Sequence, residues 1–202
     1  MRCGRSQGGA AVECHPKGTE SAQGLGDVVD TTAEPSAILP PAQQWGAAHT
    51  RSRCEKQVAE YLDQRNVATF LPLIKRRNVG NREIRFFQIP LFAGYVFFDT
   101  EAIVAREVLA CRKVARILRT DDPDGLRGEL ANLAVALQGD EALFEVRYGE
   151  VGKPVRVARG RLKGLVGEVV RLEGRSRLII RVSFIGRSAS LDVDESLIEP
   201  AL

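Results

Sequence analysis

Pro90-Leu91-Phe92-Ala93-Gly94-Tyr95-Val96-Phe97-Phe98 is the most informative stretch of this chain. Its last four residues form an uninterrupted apolar run of buried-strand length, and such a run has to bury at least one of its faces. Gly94 permits a tight approach to that strand, because a residue without a Cβ tolerates backbone conformations closed to others. Just upstream, two extended runs, 74–79 and 83–89, flank Gly80-Asn81 and read as a hairpin. Farther upstream, Trp45, Ala47 and His49 alternate as in a strand. Ser52 stands three residues before Glu55, the spacing of a capping box. Cys54, Val58, Tyr61 and Leu62 share one face of the helix that would follow, with Asn66 as a left-handed stop. Downstream, Thr100 is placed to cap a short helix through Cys111, and Val114–Leu118 alternates again. Asp121-Asp122-Pro123-Asp124-Gly125 reads as a turn, after which Leu126, Leu130, Leu133 and Leu137 share a helical face. Residues 43–138 are therefore expected to form an α+β domain with mainly antiparallel strands and flanking helices.

The flanks read differently. Residues 1–42 are rich in Gly, Ser, Thr, Ala and Pro. They bury too little apolar area to offset their ordering entropy, so they are expected to be a disordered tail. Residues 139–150 are acidic and aperiodic, as in a linker. Beyond them, Val155-Arg156-Val157, Gly167–Leu172, Leu178–Val182 and Ala189–Val193 are short strands separated by glycines or charges. Residues 151–202 thus read as a small β-barrel.

Composition narrows the function classes. The 202 residues are 44% hydrophobic and 27% charged, the balance of a soluble globular protein. No apolar run reaches membrane-spanning length, and Gly8–Val12 is too short for the core of a secretion signal, so a cytoplasmic protein is expected. Cys3, Cys14, Cys54 and Cys111 are too dispersed for a disulfide scaffold or a zinc site. His15 and His49 have no neighbouring nucleophile or metal ligand, and the chain lacks a phosphate-binding G-K-[ST] loop. The expectation is a non-enzyme without metal or cofactor.

Charge is distributed unevenly: the net is −2 over residues 1–50, +7 over 51–119, −6 over 120–150 and +4 over 151–202. Arg51, Arg53 and Lys56 open the first helix, where the helix dipole disfavours cations, so they point either to an anionic neighbour or to plain solubilising charge. Lys75, Arg76, Arg77, Arg82 and Arg85 cluster in the hairpin, a candidate phosphate-facing surface.

Two motifs carry a family resemblance. Pro90 through Phe98 is similar to the PLFPGYVFV signature of the NGN domain of NusG-like transcription elongation factors, and it follows Trp45, the helix and Phe70-Leu71-Pro72 in the family's order. Gly152 through Gly167, with Val155-Arg156-Val157, Gly160, Leu162-Lys163-Gly164 and Gly167-Glu168-Val169, resembles a KOW motif. Ile185-Gly186-Arg187-Ser188 and Leu197-Ile198-Glu199-Pro200 resemble the end of that domain. Ala93 departs from the family's proline. The resemblance implies an NGN-type antiparallel sheet followed by a small SH3-like KOW barrel. It also implies a factor that modulates pausing, termination or antitermination. Phe92 and Tyr95 would dock on the clamp helices of the largest RNA polymerase subunit. By charge and position, Arg51, Arg53, Lys56, Lys75, Arg76 and Arg77 are the candidate nucleic-acid contacts, the hairpin reaching the phosphates of the non-template DNA strand, with a base contact near Asn78–Asn81 as the further option. Leu165 and Ile185 would bind a KOW partner such as a small-subunit ribosomal protein or the Rho terminator. The alternative is a ribosome- or RNA-binding protein that uses the KOW domain as its RNA module.

Overall fold

The computed structural model describes residues 38–79, 84–139, 142–147, 152–172 and 175–201. Its first sheet is antiparallel, ordered β2-β5-β1-β6, and is built from β1 (Trp45–Thr50), β2 (Thr69–Phe70), β5 (Tyr95–Asp99) and β6 (Val114–Arg119). β5 lies between β2 and β1, in register Ala47↔Phe97 and Ala48↔Val96. A central strand covered on both sides must be apolar at every position, which is why Val96, Phe97 and Phe98 run without a polar break. Val96, Phe98 and Ala48 face a core shared with α1 (Glu55–Asp63) and α2 (Ala105–Ala110). Trp45, Ala47 and Phe97 face the opposite core, shared with α3 (Pro123–Gln138).

The two expected caps take other roles. α1 starts at Glu55 after Cys54, with no side-chain cap, so Ser52 stands too far upstream to serve. α2 follows Val104, and the Thr100 hydroxyl instead donates to the Gln44 carbonyl, tying the end of β5 to the start of β1. Asn66 does adopt the left-handed conformation, at φ 56°. Pro123 to Gly125 form the first turn of α3 rather than a separate turn: Asp122 caps it by accepting from the Gly125 N–H at 2.9 Å.

The expected hairpin is present as a two-stranded antiparallel ribbon, β3 (Leu73–Val79) and β4 (Ile84–Pro90). Its turn, with Gly80-Asn81, lies outside the described residues. The tail expected over 1–42 is corrected at its end, because Leu39 is buried and Ile38 and Ala42 pack on the same core. Residues 1–37 lie outside the described residues.

A second antiparallel sheet, ordered β12-β8-β9-β10-β11-β7, holds β7 (Phe144–Arg147), β8 (Lys153–Val157), β9 (Val166–Leu172), β10 (Arg175–Val182), β11 (Arg187–Asp192) and β12 (Ile198–Pro200). β7 comes from the stretch expected to be a linker: Phe144 to Arg147 pair with β11, in register Ser190↔Phe144. The second half of α3 is buried nearly all round, through Leu130, Ala131, Leu133, Ala134, Val135 and Ala136. Such a helix needs cover on more than one side. It has β1 of the first sheet against it and β10 of the second, with the Glu129 carboxylate accepting from the Ser183 N–H at 3.0 and 3.1 Å.

Candidate nucleic-acid interface

The β3–β4 ribbon pairs with no third strand among the described residues, so its side chains past the base have no sheet neighbour to pack on. Its base is anchored: Ile74 packs on the main core, and the Leu91 N–H donates to the Pro72 carbonyl at 2.8 Å. Lys56, at the start of α1, donates from Nζ to the Gln88 carbonyl at 2.6 Å. This bond brings one of the basic residues of α1 onto the ribbon.

Directly opposed residues in an antiparallel pair project on the same side. The register Lys75↔Gln88 and Arg77↔Phe86 therefore sets Lys75, Arg77 and Phe86 on one face, and Arg76↔Phe87 with Ile74↔Ile89 on the other. Lys75, Arg76, Arg77 and Arg85 are exposed. Lys75, Arg76 and Arg77 make no ion pair with a described residue. Phe86 is 69% exposed and Phe87 48%. Neither aromatic was singled out from the sequence, although two consecutive phenylalanines among hairpin cations were a readable signal.

Arg51 and Arg53 are exposed on the turn between β1 and α1. Arg53 sits in the left-handed region at φ 60°, and the turn is held by Arg51 N–H to the Lys113 carbonyl at 2.7 Å and Cys54 N–H to the Arg51 carbonyl at 3.2 Å.

The loop before β5 corrects the expected polymerase patch. Phe92 is 1% exposed and belongs to the main core, so it offers no surface to a partner in this arrangement. Ala93 is exposed, Gly94 and Tyr95 are partly exposed, and the Tyr95 ring meets His49 edge-on at 5.2 Å between centroids. Gly94 takes φ +84°, a conformation that suits glycine. Its N–H donates to Glu55 Oε1 at 2.8 Å and its carbonyl accepts from the Thr50 N–H at 2.8 Å. Glu55, expected from its spacing to complete a capping box, instead fixes this loop.

In the second sheet, Leu165 is 0% exposed and fills the core, which removes it as a surface contact, whereas Ile185 is partly exposed on a 3₁₀ turn (Ser183–Ile185). Among the described residues, no group of three or more His, Cys, Asp or Glu is placed to hold a metal ion. No helix among them is long and apolar enough to cross a membrane.

Residues 43–133 match the family model described as transcription termination factor NusG. This segment is a NusG domain. The match takes in the first sheet, its three helices as far as residue 133, and the basic ribbon. Among solved structures, the chain is similar to NusG of Thermotoga maritima, at 20% identity and a TM-score of 0.45, over 79% of this chain and 97% of that one. It is also similar to a chain of an MjSpt4:Spt5 complex, at 15% identity and a TM-score of 0.27, over 78% of this chain and 96% of that one. No curated protein matches it in sequence.

Proposed function

We propose that this NusG-like chain is a transcription elongation factor that binds RNA polymerase and modulates pausing, termination or antitermination. The observation that carries the reading is the NusG domain over 43–133, in whose cationic ribbon Lys75, Arg76 and Arg77 make no ion pair with a described residue. Those three residues, with Arg51 and Arg53, hold the phosphates of the non-template DNA strand. Lys56 braces the ribbon from α1. Docking on the clamp helices of the largest subunit falls to the surface around Ala93 and Tyr95, with Phe92 supporting it from within the core. The second sheet takes the part of a KOW module, with Ile185 on its contact surface for a small-subunit ribosomal protein or Rho. The factor acts by binding one state of the polymerase more tightly than another, which shifts the population toward that state.

A pull-down of core RNA polymerase in high salt tests this reading. Apolar docking persists there, whereas association through nucleic acid fades. Tyr95→Ala should weaken the retained binding ~5- to 150-fold. Loss of all binding in high salt, with RNA binding kept at low salt, would favour the RNA-module alternative.

A further inference from the structure

The ribbon carries more than phosphate-binding charge. Among the described side chains of β4, Phe86 and Phe87 are large, apolar and open to water, one on each face, each directly across from an arginine. A purely structural role would pack them on a layer of the fold, and among the described residues the ribbon lies in no larger sheet. The bland account is a cross-strand Arg–Phe pair that steadies the ribbon. Yet neither the Arg76 nor the Arg77 guanidinium lies over a ring of a described residue, while Arg65 does lie over the Tyr61 ring, 3.6 Å from its centroid. The ring faces are therefore not taken up by these partners.

An exposed aromatic flanked by cations fits a ligand that alternates flat apolar rings with negative charge. Single-stranded nucleic acid is that ligand, because each unpaired base offers a π-face and each linkage a phosphate. Duplex DNA hides its base faces in the stack and would meet only the charges. We propose that β3–β4 is a two-faced stacking platform for single-stranded nucleic acid. Phe86 takes a base beside Lys75 and Arg77, Phe87 takes a base beside Arg76, and the cations hold the adjoining phosphates. The inference deepens the DNA-contact part of the proposed function and is independent of polymerase docking.

The test is fluorescence anisotropy of the full chain with labelled oligo(dT), oligo(U) and a duplex, each of about 12 nucleotides or pairs, a usual footprint for such surfaces. Both rings are exposed, so Phe86→Ala and Phe87→Ala should keep the parent's circular dichroism and melting temperature. Each should weaken single-strand binding ~5- to 150-fold without changing the salt slope. Phe86→Trp and Phe87→Trp should restore it. Arg76→Gln and Arg77→Gln should instead each flatten the log–log salt slope by about 0.7. The tighter of oligo(dT) and oligo(U) identifies the strand type. Parental affinity in the Phe86→Ala/Phe87→Ala double variant would overturn the proposal. So would loss of polymerase retention in that variant with oligonucleotide affinity unchanged, which would make the rings a protein contact. Intact, aromatic-dependent oligonucleotide binding in a chain that fails to hold polymerase would sink the elongation-factor reading and leave this one standing.

Discussion

Glu55→Ala should loosen the loop that carries Phe92 and Tyr95. Glu55 is buried, and its Oε1 is the acceptor for the Gly94 N–H at 2.8 Å. Truncation leaves that N–H without its partner in a partly buried turn, at about 1–3 kcal/mol. It also strips the Cγ methylene from a packed site, worth about 0.8 kcal/mol. A favourable negative charge in the first turn of α1 goes too, worth about 0.3–1 kcal/mol. The combined loss is about 2–5 kcal/mol, and for a cooperative unit of this size roughly 2–4 °C of melting temperature accompanies each kcal/mol. Glu55→Ala is thus expected to melt about 5–20 °C below the parent. Glu55→Gln keeps an acceptor oxygen and the stem, so it should lose only about 1–2 kcal/mol. Far-UV circular dichroism melts give the stabilities, and hydrogen exchange at the Gly94 amide reports the bond itself. A melting temperature within about 2 °C of the parent for Glu55→Ala, or equal losses in the Ala and Gln variants, would refute the acceptor role.

Replacing Lys75, Arg76 and Arg77 together with Gln should leave free-polymerase binding nearly intact while weakening retention on elongation complexes. It should also flatten the salt slope by up to ~2 units if all three touch a single strand; an unchanged slope would return them to ordinary surface. Gly167→Ala would set a Cβ 2.6 Å from the Ile179 carbonyl oxygen, across the β9–β10 ladder. Urea titration should show a loss of about 1–3 kcal/mol, and parental stability would mean the strands separate freely there. Burial would raise the Glu168 pKa, but hydrogen bonds from Arg181 and the Gly152 N–H, with the Arg181 charge, outweigh it and hold the carboxyl below its usual range. A lowered folded pKa gives stability that is present above the ordinary carboxylate range and lost as pH falls through the lowered value. The gap between parent and Glu168→Gln should therefore be widest at neutral pH and close in acid; a gap that grows in acid would reverse the assignment. Finally, a fragment beginning at residue 142 keeps β7 on β11, whereas one beginning at 151 exposes that edge, so the longer fragment should melt higher. Equal melting would make β7 dispensable.

The parts of the fold legible in the sequence were those set by near neighbours. The apolar run at Tyr95–Phe98, the alternation in β1, the leucine face of α3 and the left-handed Asn66 each follow from local periodicity or local backbone preference. The basic ribbon was legible too, because cross-strand pairing around a short turn keeps cations close in sequence close in space. The caps failed because Ser52 and Thr100 met partners far along the chain, or none, and helix starts shift with such competition. β7 escaped notice because a four-residue edge strand has too few positions for a period, and its pairing with β11 spans some forty residues.

Burial drew the sharpest line between the two kinds of knowledge. From sequence alone, Phe92, Leu165, Phe86 and Phe87 are equally apolar, and a family resemblance cast the first two as surface contacts. The tertiary structure puts Phe92 and Leu165 in the core and leaves Phe86 and Phe87 in water. The amino-acid order determined most of the strands, the helix faces and the cationic ribbon. Which aromatic can touch a partner was decided by the cover above it. A side chain's hydrophobicity is a property of the residue, but its exposure depends on elements brought over it from elsewhere in the chain.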